Sequence, residues 1–197
     1  MTQSLARTLV GRGHTVTVIG LYPPALAGEE EDQGVQVRRL AGTRLPKCGF
    51  LINGARLRRE LQRMAATNPI SIVEGPENAL ALIGPSAPGR KVIRMHGGHH
   101  FFSTTLGKRP RPWRAWVEKR SFARADHLCA VSRYVASTTR DLLKLGEAPI
   151  EILPNSIDAD FFRPLPEIPV QPGLIVFVGT LCEKKGIRQL VQAMPNK

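Results

Sequence analysis

The sequence is poor in cysteine, in acidic residues and in long apolar runs, and each shortage excludes something. Cys48, Cys129 and Cys182 are far apart and form no CxxC pair. That excludes a disulfide framework and a cysteine-based zinc site, and it fits a reducing compartment. No stretch reaches the roughly 18–20 apolar residues of a membrane span. Arg7 and Arg12 interrupt the one early apolar stretch, so no signal peptide is read. The expected location is the cytoplasm, with peripheral contact at the inner membrane face. Aspartate and glutamate number 16 against 28 lysines and arginines, a net charge of +12. Such a balance asks for an anionic partner: nucleic acid, an acidic membrane surface or a phosphorylated small molecule. Neither GxxxxGK[ST] nor GxGxxG occurs, and serine-nucleophile and zinc-hydrolase motifs are missing too.

What is present alternates. Residues 2–12 place Leu5 and Leu9 one turn apart and read as a helix closed at Gly13, followed by a strand over His14–Ile19. A helix feeding a strand belongs to a βαβ unit whose first strand would lie ahead of Met1, so the reading expects truncation there. Residues 22–34, with prolines, glycines and the acidic run Glu29–Asp32, read as an exposed loop. Strands follow at Val35–Leu40, Ile70–Val73, Lys91–Met95, His127–Val131 and Ile150–Leu153. Helices fall at 54–67, Glu77–Ile83 and Trp113–Ala125, and another opens at Ser132 as N-cap. Strand and helix in strict turn argue for an α/β domain, a Rossmann-like parallel sheet with flanking helices. Pro164, Pro166, Pro169 and Pro172 then mark a linker. Beyond it, Leu174–Val178 is an apolar run that reads as a strand buried on both faces, expected to be poorly protected here because its sheet partners are missing. The expected organisation is a domain over 1–163, a linker over 164–173 and the first strand and helix of a second domain over 174–197.

Three stretches carry candidate chemistry. MHGGHHFF, residues 95–102, sits at the carboxyl end of a strand, where open α/β sheets bind ligands. His96 is its first polar side chain, and Gly97 and Gly98 let backbone approach a ligand. A metal held by His96, His99 and His100 is disfavoured because adjacent histidines diverge and no carboxylate is near in sequence. GTLCEKKG, residues 179–186, follows an apolar run and opens a helix, a position suited to phosphate, with Lys184 or Lys185 as its cation. The third is a basic surface in two clusters. One runs from Arg38 through Arg39, Arg44, Lys47, Arg56, Arg58 and Arg59 to Arg63; the other spans 108–124 and is interleaved with Trp113, Trp116 and Phe122. Cations beside tryptophans suit an anionic membrane interface, and a nucleic-acid patch would look similar.

Five stretches in order resemble glycosyltransferase family 4 (group 1), whose members have two Rossmann-like domains in the GT-B arrangement. They are LARTLVGRGHTVTVI (5–19), RMHGG (94–98), ARADHLCAVSRYV (123–135), ILPNSIDADFFRP (152–164) and FVGTLCEKKGIRQLVQAM (177–194). The resemblance implies retaining transfer of a sugar from a nucleotide-sugar donor to a glycan or lipid-linked acceptor of the cell envelope, with no cofactor and no catalytic metal. By position, His96 is then the catalytic residue near the transferred sugar. Gly97, Gly98 and Asn155 line the acceptor cleft, while Gly179, Lys185 and Gly186 hold the donor diphosphate. Thr180 stands where the family commonly has a phosphate-binding arginine, and Ser156 replaces a usual glycine. The family's later pair of glutamates has no position here, so the expectation is a fragment inactive as it stands. A non-enzymatic basic module for anionic lipid or nucleic acid, or a decayed gene product, stays open as the alternative.

Overall fold

A computed structural model of the chain describes residues 2–45 and 48–194, with Lys184 in backbone alone. Lys47 of the first basic cluster, the Lys184 side chain, Met1 and residues 195–197 of the expected segments lie outside the described residues. The chain divides into two compact units, Met1–Asp158 and Ala159–Lys197.

The first unit is α/β. Helix α1 (Thr2–Gly11) leads through a turn at Gly13, whose φ of +86° suits glycine, into β1 (Thr17–Tyr22). The strand starts three residues later than expected, because His14 to Val16 complete the turn and pairing begins at Thr17 with Gln36. β2 (Gly28–Asp32) and β3 (Val35–Ala41) complete a three-stranded sheet in the order β1-β3-β2, with β1 parallel and β2 antiparallel to β3.

The loop expected over 22–34 is therefore a 3-10 turn at Pro24–Leu26 followed by a strand. GEEED has little intrinsic strand preference. Its partner strand supplies the reason it pairs: Arg39 grips Glu30 with two bonds of 2.7 Å, and Arg38 reaches Glu29 at 3.2 Å. Arg38 and Arg63 also converge on Glu60, at 2.6 and 2.8 Å. Three members of the basic cluster expected around Arg38, namely Arg38, Arg39 and Arg63, are thus paired with carboxylates.

The second sheet is fully parallel, in the order β4 (Ile72–Gly75), β5 (Arg90–Met95), β6 (His127–Ala130), β7 (Ile150–Ile152). Five helices accompany it: α2 (Gly49–Thr67), α3 (Leu80–Ile83), α4 (His99–Thr105), α5 (Pro112–Phe122) and α6 (Arg133–Leu143). The expected Rossmann-like parallel sheet is present. Ile93 and Met95 of β5 are completely buried and meet Leu61 of α2, Leu80 and Ile83 of α3, Phe101 of α4 and Phe122 of α5. Each such side chain contributes roughly 2 kcal/mol by burial. Ser132 caps α6 as expected, its Oγ accepting from the Val135 amide at 3.2 Å.

In the second unit the expected buried strand at Leu174–Val178 is not formed. No strand partner meets it among the described residues, and Ile175 and Val178 are 56% and 90% exposed. Helix α7 (Ile187–Ala193) follows a 3-10 turn at Glu183–Lys185, and no described residue of this unit is buried.

Candidate functional site

The neighbouring parallel strands β5, β6 and β7 end side by side, as the amide of Val131 bonds to the Met95 carbonyl at 3.1 Å and that of Leu153 to the Ala130 carbonyl at 2.9 Å. His96 follows Met95 directly, so it stands at the carboxyl edge of the sheet. The stretch 95–102 is shorter as a loop than expected. Only 96–98 are irregular, and α4 begins at His99.

This short loop is held by two carboxylates that are almost entirely out of water. Glu77 is 7% exposed and accepts the His96 amide at 2.5 Å. Glu118, on the inward side of α5, is 2% exposed. It accepts the amides of His99 at 2.7 Å and His100 at 3.0 Å and pairs with His100 Nδ1. The first turn of α4 thus has its free amides satisfied by a side chain from another helix. Burying a carboxylate is expensive unless it is well hydrogen-bonded. Here two of them are spent on the backbone of one five-residue stretch.

Gly98 is required for this arrangement, since a Cβ there would stand 1.7 Å from Glu118 Oε1. Gly97 adopts φ +103° and lies against the Phe101 and Phe102 rings. The glycines expected to admit a ligand therefore also admit the anchoring carboxylates. His99 Nε2 accepts the Arg111 amide at 2.8 Å, which leaves its proton on Nδ1 in the neutral ring.

Of the three histidines, His96 alone is uncommitted. It is half-buried, and its ring makes no hydrogen bond to the described residues. The His99 and His100 rings lie 6.4 Å apart at 68°, each engaged elsewhere. Among the described residues no group of three His, Cys, Asp or Glu is arranged to hold a metal ion.

Around the loop the strands are tied together by charge. Arg94 bonds Glu74 through Nε at 2.7 Å and Nη2 at 3.0 Å, which raises the guanidinium further above its usual value. Cys129 is buried beneath, its thiol donating to the Ile93 carbonyl at 3.5 Å, and burial pushes its pKa up. Asn155 is exposed just past Leu153, on the same carboxyl edge as His96 but two strands away. Gly179, Lys185 and Gly186 belong to the second unit. There Lys185 is exposed in the 3-10 turn, and Gly186, at φ +74°, joins that turn to α7.

Glu77 and Glu118 were not singled out from sequence, because each lies 18 or 19 residues from the histidine it holds. One signal was available. Glu118 falls in register with Ser121 and Phe122, on the stripe of α5 that faces the core.

A parallel α/β sheet with an anchored His-Gly-Gly loop at its carboxyl edge defines a Rossmann-like domain. Residues 1–161 match the family model described as Glycosyltransferase Family 4, and the chain belongs to that family. Comparison with curated proteins gave no match.

Proposed function

We propose that this chain serves retaining transfer of a sugar from a nucleotide-sugar donor to a glycan or lipid-linked acceptor of the cell envelope, at the cytoplasmic side of a membrane. The family makes it a glycosyltransferase; donor, acceptor and stereochemistry are the finer reading. The observation that carries it is His96, a half-buried imidazole with no hydrogen bond to the described residues, on a loop fixed by two buried carboxylates. Two carboxylates spent on an otherwise irregular loop are well explained if the loop must hold one side chain still for a substrate.

In this reading residues 1–163 are the acceptor-side domain, 164–173 a linker and 174–197 the start of the donor-binding domain. His96 donates a hydrogen bond to the sugar being transferred. Gly97, Gly98 and Asn155 border the acceptor. Lys185, with the backbone at Gly179 and Gly186, neutralises the diphosphate as the sugar leaves. The chemistry is electrostatic stabilisation of a departing anion by fixed cations and dipoles, so it needs neither metal nor cofactor. A non-enzymatic basic module would account for the charge, but it leaves the anchored loop without a purpose.

The test is transfer of radiolabel from a panel of UDP- and GDP-sugars, with product anomers read by NMR. It uses membranes of cells that express these residues joined to a complete donor-binding domain, since the 197-residue chain by itself is expected not to turn over. His96→Ala should lower transfer roughly a hundredfold while leaving the thermal unfolding midpoint unchanged. Equal transfer by the folded variant refutes the role of His96, and products of inverted configuration refute retention.

A further inference from the structure

Arg7, Arg38, Arg39, Arg63, Lys91 and Arg94 each pair with a carboxylate. Arg58 of α2 and Arg120 of α5 pair with none among the described residues. Both are exposed, and both repel Arg124, whose guanidinium sits below its usual value chiefly through burial and then through these two neighbours. Arg124 is itself committed, donating to the carbonyls of Leu80 at 3.0 Å and Ala81 at 2.8 Å.

Near the amino ends of the same two helices the surface turns apolar. Phe50 of α2 meets Trp113 of α5 edge-on at 5.3 Å, and Trp113 stacks on Trp116 at 5.0 Å with the rings 20° apart. Leu51 is 70% and Trp113 57% exposed. Arg120 lies over the Trp116 ring, 5.2 Å from its centre. These side chains come from two helices joined through α3, so the patch exists only in the fold.

We infer that this α2–α5 face, with Phe50, Leu51, Trp113 and Trp116 beside Arg58 and Arg120, docks onto an anionic phospholipid bilayer. Tryptophan is at home at the depth of lipid headgroups, and unpaired arginines meet lipid phosphate there. Leu51 gains from acyl chains and nothing from a nucleic acid. Trp116 is stacked on Trp113 and overlain by Arg120, which leaves little open ring face for a base.

Helix α5 faces both ways. Its outward side carries Trp113, Trp116 and Arg120, and its inward side carries Glu118, the anchor of the His96 loop. Docking thus sets that loop about one helix diameter, roughly 10 Å, from the lipid. Delivery of a lipid-linked acceptor to His96 rests on the function proposed above, but docking itself does not.

The experiment uses the two tryptophans of the sequence, both in the patch, as the fluorophores. The purified chain is titrated with vesicles of phosphatidylcholine alone and of phosphatidylcholine with one quarter phosphatidylglycerol, at low and high salt. The expected result is a blue shift and co-sedimentation with the anionic vesicles only, weakened by salt. Arg58→Gln with Arg120→Gln should weaken binding roughly thirtyfold, about fivefold per charge. Trp113→Phe with Trp116→Ala, which has no tryptophan and is read by co-sedimentation, should weaken it roughly tenfold or more at an unchanged unfolding midpoint. Equal affinity for both vesicle types, unmoved emission, or tighter binding to duplex DNA lost in the same variants would overturn the inference. Transfer activity enters none of these readouts, so docking and catalysis fail separately.

Discussion

Glu118 is the side chain on which the loop geometry depends most, and Glu118→Ala measures that dependence. The variant strips the acceptor from the His99 and His100 amides and from the His100 ring, in a site where Glu118 and His100 are both buried. A buried donor left without a partner costs about 1–3 kcal/mol. With water reaching part of the vacated space, the expected loss is about 4 kcal/mol. At roughly 2–4 °C per kcal/mol for a chain of this size, the midpoint falls by about 8–16 °C. Glu118→Gln keeps the volume and one acceptor oxygen but turns an amide NH2 toward a backbone N–H. It should lose about half as much, roughly 2 kcal/mol. Lys119→Ala, one residue along and exposed, is the control and should stay within about 0.5 kcal/mol. The assay is urea denaturation, paired with amide exchange at His99 and His100, which should quicken in both Glu118 variants. Glu118→Ala unfolding within about 0.5 kcal/mol of the parent would refute the reasoning, since buried donors cannot lose their acceptor at no cost.

Three further outcomes are expected. Asp126 accepts the Lys91 amide at 2.7 Å and pairs with Lys91 Nζ at 3.0 Å, and the backbone bond, then the side-chain bond, hold its carboxyl below the usual 3.8. Its stabilisation is therefore present above about pH 3.8 and fades as pH falls through the lower folded value. Asp126→Asn should flatten the acid limb of a stability-versus-pH curve, and an unchanged limb would contradict this. Cys48 is exposed whereas Cys129 is buried with a raised pKa, so mass spectrometry after alkylation should find Cys48 modified first and Cys129 only on unfolding. Amides of Leu174–Val178 should exchange as fast as an unstructured peptide while those of Ile93 and Met95 stay protected; slow exchange at 174–178 would require a partner strand there.

Much of the first unit was legible because its segments obey one rule at a time. Lys91–Met95 is a short β-branched run with a glycine turn after it, and it is β5 almost to the residue. Ser132 looks like a cap and is one. Errors arose where a partner decides the outcome. GEEED becomes a strand because Arg38 and Arg39 stand across from it, and LIVFV does not become one because no described strand stands beside it. Apolar pattern proposes a strand, but the ladder of bonds must come from somewhere else in the chain. The loop at His96 was legible as a place from its glycines and its position after a strand. Its means of support was not, since a lone glutamate on a helix reads as a solvated charge.

The same helix couples the proposed lipid-facing surface to the start of α4. On α5, positions 113, 116 and 120 face outward with aromatic rings and a guanidinium, and 117, 118, 121 and 122 face inward. Any change that tilts α5 to accommodate a lipid surface also shifts Glu118, whose two backbone bonds fix where α4 starts. Hydrogen bonds to a carboxylate weaken steeply with misalignment, so a small tilt would be felt at His99 and His100 before it reached the sheet. His96 is less exposed to such a tilt, because its amide is held by Glu77, outside α5, at 2.5 Å. The two carboxylates thus divide the task. One ties the loop to the helix that presents the aromatic face, and the other ties His96 to the segment after β4. The catalytic candidate therefore keeps its place at the sheet edge while the start of α4 is free to follow α5.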